Sequence, residues 1–575
     1  MYLKKTPARN GRTHLSIAEG YYDPIKKQSR TKTIQKLGYL DELAKEYPNP
    51  IEYFSASIAQ MNEKRKQDKI TTTIIIEEND RIEKNNRKNF GYCALSAIYH
   101  ELEIHRFFAN RQESLNVEYN LNSIMRLLVF ARIIEPSSKK KAFENKERFF
   151  ERSDFNISDM YRALSKLAVY KEALQLWMHE RISANMGRDT SLVYYDVTNY
   201  YFEIDEQDNL RRKGVCKEHR PNPIVQMGLL MDNDGLPVAY QLFPGNTNDC
   251  TTLLPIIKRI RQKYGTGKVI VVSDKGLNTA KNAYYLANKR GGYVFSQSVR
   301  KGTAALKKYV LDPKDYEEST DEFSGFKKKS RQFTRHIEFK DDNGQEVKAT
   351  LSEKQVVIYN PKYAAKAKKD RMAAILKAQA IINNPQNFNK QNTHGAAKYI
   401  RQINFDKNTG EIVKAKSILT FNEDLLAEEE KYDGYYVIVT NHHLKSDQWV
   451  IDSYHELWRI EETFKVTKSD IEARSVYVSR QDRIEAHFLI CFVALLIIRL
   501  LQKKLDNQFS TTKIIHCLSE TLCFPVKNNI YLFDYYDDVS KSLGSLLNID
   551  FNQKFRTLAD IKNIFARMKN FSVTQ

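Results

Sequence analysis

Cysteine is scarce in this sequence. Six cysteines stand among 575 residues, and no two of them form a C-x-x-C pair. Six are too few for a disulfide framework, so the sequence predicts a reducing, cytoplasmic compartment. Cys216 and His219 form a lone C-x-x-H with no matching second half, which argues against a zinc site there.

Long apolar runs are also missing. The longest, "FLICFVALLII" at Phe488–Ile498, has eleven residues, whereas a membrane-spanning helix needs roughly 20. We therefore expect a buried helix at this position. The basic N-terminus has no apolar segment after it, which predicts no signal peptide, and no stretch resembles a phosphate-binding P-loop, which predicts no dependence on ATP.

Positive charge is what the sequence has in excess. Lysine and arginine number 91 against 71 aspartates and glutamates, a formal net charge of +20. Such an excess favours a polyanionic partner, with nucleic acid first and an acidic membrane surface second. Hydrophobic residues at 42% and charged residues at 28% are ordinary for a globular protein and exclude a wholly disordered or fibrous chain.

The length and the changes of pattern along the chain predict several domains. At roughly 150 residues per domain, the chain should form about four units. Basic strands and turns give way to helical periodicity near residue 91, and strand patterns begin near residue 191. The predicted regions are a basic strand-and-turn region that is a candidate for DNA binding (1–90), a helical DNA-binding region (91–188), the first part of an α/β core (189–300), an insertion domain (301–432), the second part of the core with an acidic helix (433–505), and a C-terminal tail that is a candidate for dimerisation (506–575).

Two acids lie at the ends of predicted core strands. Asp196 belongs to "SLVYYDVTNYYFE", and the apolar strand "KVIVVSD" ends on Asp274, after a hairpin with the turn "NDG". A carboxylate among strand apolars is costly unless it is paired or binds a metal, and ligands collect at the strand C-termini of α/β sheets. Each Asp could instead cap the turn that follows it, and the pattern leaves both interpretations open.

A third acid would complete a divalent-metal site, because hard cations prefer oxygen ligands and two ions can share three carboxylates. One long helix is predicted in "SDQWVIDSYHELWRIEETFKVTKSDIE". The residues that share one face of it are Tyr454, Trp458, Glu461, Lys465 and Lys468. The neighbouring apolar face, which should pack on the sheet, holds Ile460, Phe464, Thr467 and Ile471.

Glu461 therefore lies at the rim of the predicted core, as a ligand near a phosphate would. Glu461 and Lys465 could instead form only a surface ion pair at i,i+4. Glu462 projects about 100° further round the helix and should meet solvent or a neighbouring loop. Trp458 could stack on a DNA base or simply pack against the protein.

These motifs resemble those of the DDE transposases of bacterial insertion sequences, in the IS-four superfamily. "YHELWRIEETFKVTK" is similar to the signature helix of that family, where Tyr, Arg, Glu and Lys follow at fixed spacing. Tyr454, Glu461 and Lys468 match it, Leu457 stands at the Arg position, and Arg459 lies nearby but out of register. The other similar segments are "YYDVTNYYFE", "GLPVAYQLFPGNTND", "VVSDKGLNTAKN" and "RIEAHFLICFVALLI". The likeness runs from about residue 90 to residue 505 and is greatest to the branch with a β-rich insertion between the second Asp and the Glu.

The resemblance implies an α/β fold with an RNase H-like catalytic core and a β-rich insertion, preceded by a helical region and a small N-terminal region. Asp196, Asp274 and Glu461 would be catalytic and would bind two Mg²⁺ ions, with Mn²⁺ able to substitute. One ion would activate water and later a 3′-hydroxyl, and the other would stabilise the leaving oxygen. The residues implied to contact DNA are Tyr454, Lys468, Arg459 and Trp458.

The activity implied is hydrolysis at the element ends followed by transfer of the freed 3′-hydroxyl into target DNA. The partners implied are double-stranded DNA, at the terminal inverted repeats and at the target, and a second copy of the chain across paired ends. The implied location is the bacterial cytoplasm at the nucleoid, without a membrane. Two alternatives stay open from the sequence alone, a metal-dependent nuclease on the same fold that does not join strands and an inactive, domesticated DNA-binding protein.

Overall fold

A computed structural model of the chain describes residues 1–8, 11–23, 28–67, 86–215, 221–288, 291–318, 325–383, 399–404, 417–526 and 529–571. The chain divides into two compact units, Met1–Ile82 and Glu83–Gln575. All five cysteines in the described ranges are free thiols, which confirms that they form no disulfide framework. The pair Cys216 and His219 lies outside the described residues.

The first unit is a small antiparallel sheet followed by helices. Its elements are the strands β1 (Tyr2–Pro7), β2 (Thr13–Asp23) and β3 (Gln28–Tyr39) and the helices α1 (Leu40–Leu43) and α2 (Pro50–Gln67). The strands pair in the order β1-β2-β3, and Leu15, Ile17 and Ile58 are buried in this unit. Helix α2 begins at Pro50, because proline's fixed φ suits the first helical position.

A helical region begins the second unit, as the periodicity predicts. After the short strand β4 (Lys88–Asn89) come α3 (Tyr92–Glu101), α4 (Ile104–Gln112), α5 (Leu121–Ile134), α6 (Lys139–Glu144), α7 (Ile157–Val169) and α8 (Lys171–Met186). Helices α7 and α8 meet at Tyr170. The N-cap of α7 is Asn156, which forms a reciprocal capping box with Asp159.

An α/β layer follows, in the predicted order. It consists of β5 (Leu192–Tyr201), β6 (Ile224–Met231), β7 (Pro237–Pro244), α9 (Leu253–Lys263), β8 (Ile270–Ser273), α10 (Ala280–Asn288) and β9 (Gly292–Gln297). The expected hairpin is β6–β7, and Gly235 in its turn has φ +81°, a conformation that glycine adopts without strain. Strand β5 is antiparallel to β6 and parallel to β8, and β8 is parallel to β9.

The segment between β9 and the acidic helix extends this sheet. Its elements are α11 (Ala304–Leu311), β10 (Glu317–Glu318), β11 (Lys327–Lys340), β12 (Glu346–Tyr359), α12 (Pro361–Asn383), β13 (Ile400–Asn404), β14 (Ser417–Phe421), α13 (Glu423–Glu430) and β15 (Tyr435–Thr440). Strand β12 pairs with β15, and β15 pairs with β9. The resulting nine-stranded sheet has the order β10-β11-β12-β15-β9-β8-β5-β6-β7.

The chain ends in helices and in strands of a small four-stranded sheet. These elements are α14 (Asp447–His455), α15 (Trp458–Lys465), α16 (Gln481–Lys504), α17 (Thr511–Glu520), β16 (Leu522–Pro525), β17 (Ile530–Phe533), α18 (Asp538–Leu547), β18 (Phe555–Thr557) and α19 (Leu558–Met568). The small sheet has the order β18-β17-β16-β4. The single long acidic helix that we predicted is wrong. It is α14 and α15, separated by a turn at Glu456 and Leu457 and extended by one π-helical turn at Val466–Asp470.

Helix α16 confirms the buried helix expected around Phe488–Ile498. It is long and apolar enough to cross a membrane, but 94% of its most apolar stretch is buried inside the protein. It packs against α5 and α7 of the helical region. Strand β16 pairs with β4, so the C-terminal tail also packs on the start of the helical region.

Two hydrophobic cores cover the two faces of the large sheet. Alternation along β5 sends Tyr194 and Tyr200 into the core that contains α15 and α16, and Val193 and Tyr195 into the opposite core. Asp196 has the parity of Tyr194 and Tyr200, so it belongs to the face covered by α15.

Candidate active site

The two predicted aspartates belong to neighbouring strands, Asp196 within β5 and Asp274 directly after β8. Strands β5 and β8 pair in parallel with Leu192 opposite Ile270 and Tyr194 opposite Val272. Continuing that register by two residues brings Asp196 beside Asp274, on the same face and about 5 Å apart in backbone position. One expectation needs correction, because Asp196 lies in the middle of β5 and not at its end. Strand β5 continues past the end of β8 because it also pairs with β6 as far as Tyr201.

Hydroxyl groups hold the Asp274 carboxylate. Asp274 directly follows β8, and its oxygen Oδ1 accepts a hydrogen bond of 2.7 Å from the Ser296 hydroxyl and one of 3.3 Å from the Tyr454 hydroxyl. Its side chain makes no capping bond to the turn that follows. The structure therefore does not support the interpretation of Asp274 as a simple turn cap.

Tyr454 links the acidic helix to this carboxylate. Burial raises the pKa of Tyr454, and the charges of Asp274 and Glu461 raise it further. The hydroxyl consequently stays protonated and donates to Asp274.

Glu461 projects from a helix whose opposite face is packed on the sheet. The apolar face predicted for this segment is confirmed, because Ile460, Phe464 and Thr467 are buried. The Thr467 hydroxyl forms a hydrogen bond of 2.9 Å with the Tyr200 hydroxyl on β5. Glu461 itself is exposed, and no described residue forms a hydrogen bond or ion pair with its carboxylate.

The three carboxylates are not drawn together as a metal cage in this structure. Among the residues that the structure describes, no group of three His, Cys, Asp or Glu side chains could hold a metal ion as placed. Asp196 and Asp274 are neighbours by the continued register of β5 and β8, and Glu461 lies on α15.

Glu462 does not point into solvent as we expected. Its Oε2 atom lies 3.3 Å from Nη2 of Arg499 on α16, and its side chain is 35% exposed. Arg499 is buried and also donates to Thr463 and Gln502. Glu462 therefore neutralises a buried cation, a role that no local sequence pattern indicates.

The other signature residues lie at different ends of β5. Lys468 extends over the later half of the strand, with Nζ 5.8 Å from the centre of the Tyr200 ring. Arg459 donates to the carbonyl oxygen of Asn233 and pairs with Glu456, at the end where β5 begins. Leu457, at the signature Arg position, is buried in the core. The structure thus brings Lys468, but not Arg459, to the side of β5 beyond Asp196.

Trp458 is 55% exposed, so most of its ring does not pack against the protein.

Sequence reasoning missed Ser296, although the pairing of two neighbouring strands indicates it. Strand β9 pairs in parallel with β8, with Ser273 opposite Phe295, so Ser296 is the polar residue that matches Asp274. The segment "YVF" before Ser296 is wholly apolar, so it shows no alternation from which this register could be predicted.

Buried polar groups from other helices hold the end of the acidic helix. Arg132 on α5 donates to the carbonyl oxygen of Glu472. Nε2 of His487 on α16 lies at hydrogen-bond distance, 2.9 Å, from the carbonyl oxygen of Ala473. Lys139 on α6 bonds the other ring nitrogen of His487, is only 4% exposed, and has its pKa lowered to about 7 by burial. The helical region thus fixes the backbone directly after the acidic helix.

Two protein-family models match the chain. The model described as the transposase DDE domain matches residues 212–497, and that of the IS1634 family transposase N-terminal domain matches residues 3–73. Together the matched ranges cover more than half of the chain. Asp274 and Glu461 lie inside the first range, and Asp196 precedes it.

Several solved structures are distantly similar. A piggyBac transposase synaptic complex with hairpin DNA has 6% identity and a TM-score of 0.35, over 79% of this chain and 76% of that chain. Two Mos1 transposase paired-end complexes, one with the left transposon end and one with Mn, have 11% and 12% identity and TM-scores of 0.14, over 44% of this chain and 69% of those chains. No curated protein matches. Because all three TM-scores are below 0.5, the family assignment comes from the two sequence models.

Proposed function

This chain belongs to the DDE transposases of bacterial insertion sequences, enzymes that cleave and rejoin DNA, and we propose that Asp196, Asp274 and Glu461 form its catalytic site. The observation that carries the proposal is the parallel register of β5 and β8, whose continuation by two residues matches Asp196 with Asp274. Two carboxylates side by side repel each other unless a cation or a proton lies between them. A site of this kind is therefore suited to a divalent metal.

Enzymes of this family use divalent metal ions, and we propose that here the ions are two Mg²⁺, with Mn²⁺ able to substitute. The available donors fit such ions, because all three candidate ligands are carboxylate oxygens. When bound, the ions supply Lewis-acid stabilisation of the attacking and leaving oxygens of the phosphodiester. Glu461 has to turn its side chain from solvent toward the aspartates to complete the site.

The surrounding side chains orient the Asp274 carboxylate and offer contacts to DNA. Ser296 and Tyr454 donate to one oxygen of Asp274 and so orient its carboxylate. Lys468, beyond Asp196 along β5, offers an ammonium group to a DNA phosphate. Trp458 offers an exposed ring to DNA, whereas the bonds of Arg459 to Asn233 and Glu456 favour a structural role for that residue.

The strand order supports an RNase H-like core. Strands β5, β6 and β7 form an antiparallel meander, and β8 and β9 follow as parallel neighbours on the other side of β5, giving the order β7-β6-β5-β8-β9. We propose that β11 and β12 with α12 form the insertion of this branch. We also propose that the N-terminal unit, the helical region and the insertion bind the element ends, and that two chains act together on paired ends at the nucleoid.

Strand transfer tests the proposed function against a nuclease that cannot join strands. Supplied with a pre-cleaved element end and Mg²⁺, the protein should insert its 3′-hydroxyl into a supercoiled target plasmid. Asp274→Asn should abolish insertion, because the amide keeps the size but removes the charge a metal needs. Cleavage of uncut ends without any insertion of pre-cleaved ends would favour the nuclease, and DNA binding without either reaction would favour a domesticated DNA-binding protein.

A further inference from the structure

Strands β11 and β12 form a two-stranded ribbon that reaches the candidate active site through the side chain of Arg335. Strand β12 pairs with β15 of the main sheet only from Lys354 onward, so the earlier part of the ribbon extends beyond that pairing. We propose that Arg335 is a positioning residue for the Asp274 carboxylate. It acts through two residues, Asn278 and Ser296, that lie between them in a series of hydrogen bonds. The proposal rests on the proposed function, because it takes Asp274 as a metal ligand.

Arg335 occupies a position where the strand pattern favours an apolar side chain. Along β11 exposed side chains alternate with less exposed ones, and Arg335 belongs to the less exposed side. Ile337, two residues further on the same side, is buried, and so is Leu351, which pairs with Arg335 across the ribbon. The Arg335 side chain is only 20% exposed. A guanidinium in such surroundings is costly unless its donors are used, so its partners indicate its role.

Hydrogen bonds lead from Arg335 to Asp274 in three steps. Nη1 of Arg335 donates to Oδ1 of Asn278 at 3.1 Å. Nδ2 of Asn278 donates to the backbone carbonyl oxygen of Ser296, also at 3.1 Å. The Ser296 hydroxyl donates to Oδ1 of Asp274 at 2.7 Å. A guanidinium has only donors, so Arg335 keeps the amide oxygen of Asn278 toward itself and leaves the amide nitrogen for Ser296.

The turn after β8 is held to β9 at both of its ends by these bonds. Asp274 stands directly before the turn Lys275–Leu277, and Asn278 stands directly after it. Asp274 is exposed, so hydrogen bonds rather than packing orient its carboxylate. Partners that hydrogen-bond a metal ligand typically change metal affinity or activity by about 10- to 100-fold when they are removed. Because Arg335 acts at two further steps from the ligand, we expect an effect at the lower end of that range.

Neutralisation of Glu353 is the alternative role for Arg335. Nη1 of Arg335 lies 3.3 Å from Oε1 of Glu353 on β12, and Glu353 is fully buried. The Tyr293 hydroxyl donates to the same oxygen at 2.7 Å. Removing the guanidinium alone would leave a buried carboxylate unpaired and destabilise the protein, whatever Arg335 does for Asp274. The two roles separate only when both charges are removed together.

The test measures Mn²⁺ affinity of the full chain by electron paramagnetic resonance, with a pre-cleaved element end present, and the thermal midpoint of each variant. Arg335→Met combined with Glu353→Gln removes the buried pair, and the glutamine still accepts from Tyr293. This double variant should keep a thermal midpoint close to that of the wild type and bind Mn²⁺ about tenfold more weakly. Asn278→Ala should weaken Mn²⁺ binding by a similar factor. Adding it to the double variant should cause no further loss, because both act through the same bonds.

Two control variants should leave the Mn²⁺ affinity unchanged. Glu353→Gln alone removes the buried negative charge but keeps the bond between the guanidinium and the Asn278 amide. Asp342→Asn releases the turn of the ribbon from Lys258 on α9 and Lys281 on α10, which lie at 3.0 and 2.6 Å, without altering that bond. The second control shows whether docking of the ribbon as a whole, rather than the guanidinium, matters to the metal.

The outcomes distinguish this inference from the proposed function. Wild-type Mn²⁺ affinity in the folded double variant would overturn the inference, and so would an equal weakening by Asp342→Asn. Should the double variant fail to fold, Asn278→Ala, which leaves no buried charge unpaired, carries the same expectation. Asp274→Asn reports the proposed function, because normal Mn²⁺ binding by that variant would mean that Asp274 is not a ligand. Loss of binding in Asp274→Asn beside normal affinity in the Arg335 variant would overturn the positioning role alone.

Discussion

Replacing Glu461 by glutamine should lower metal-dependent cleavage of an element end by roughly a thousandfold or more, because a carboxylate ligand contributes several kcal/mol through the metal. The amide keeps the size of the side chain and removes the charge. No described residue pairs with Glu461, so the free energy of unfolding should change little. DNA binding should persist, since the helix and its lysines are intact.

Glu462→Gln is the matched control, with the opposite expected pattern. It leaves the buried guanidinium of Arg499 without its counter-charge, so the protein should lose about 1 kcal/mol of stability, the modest value reflecting the partial exposure of Glu462. Below its unfolding temperature this variant should still cleave. Cleavage rates and thermal midpoints of both variants decide the matter. A Glu461 variant that cleaves normally, beside a stable but inactive Glu462 variant, would mean that the acid has been assigned to the wrong residue.

DNA binding should depend steeply on salt. A protein that neutralises six to ten phosphates loses about 10³- to 10⁵-fold in affinity between 50 and 200 mM salt through counterion release. The net charge of +20 and the exposed lysines of α12 supply such contacts. The α12 lysines in question are Lys362, Lys366, Lys368, Lys369 and Lys377.

Affinity measured by fluorescence anisotropy across that salt range gives the slope. Substituting Lys366, Lys368 and Lys369 by glutamine should make the slope shallower by about 1 for each phosphate that the variant no longer neutralises. A control with the same number of substitutions at exposed lysines of the C-terminal tail, Lys541, Lys562 and Lys569, shows whether α12 is special. An affinity of the wild type that does not change with salt would contradict the electrostatic account.

Local pattern predicted much of the fold. The change from helical to strand periodicity near residue 191, the β6–β7 hairpin and the strand before Asp274 all follow from apolar spacing and turn residues, which act over a few positions. The buried face of the acidic helix, with Ile460 and Phe464, also followed from spacing.

The predictions that were wrong concern features that depend on contacts between residues far apart in the sequence. The break between α14 and α15 at Glu456 and Leu457 contains no proline or glycine from which it could be predicted. The mid-strand position of Asp196 results from pairing with β6, and the role of Glu462 from Arg499 on another helix. Pairing of β12 with β15 joins the insertion to the main sheet, a long-range register that strand propensity does not specify.

Direct metal binding tests the central claim, that Asp196, Asp274 and Glu461 together hold the ions that cleave DNA. In the presence of a pre-cleaved element end, the loss of the free Mn²⁺ signal in electron paramagnetic resonance should report two bound ions per chain. The doubly substituted Asp196→Asn, Asp274→Asn protein should bind neither. A control with Glu317→Gln and Glu318→Gln, which removes two exposed carboxylates of β10, should bind both. Unchanged Mn²⁺ binding by the doubly substituted aspartate variant would contradict the account.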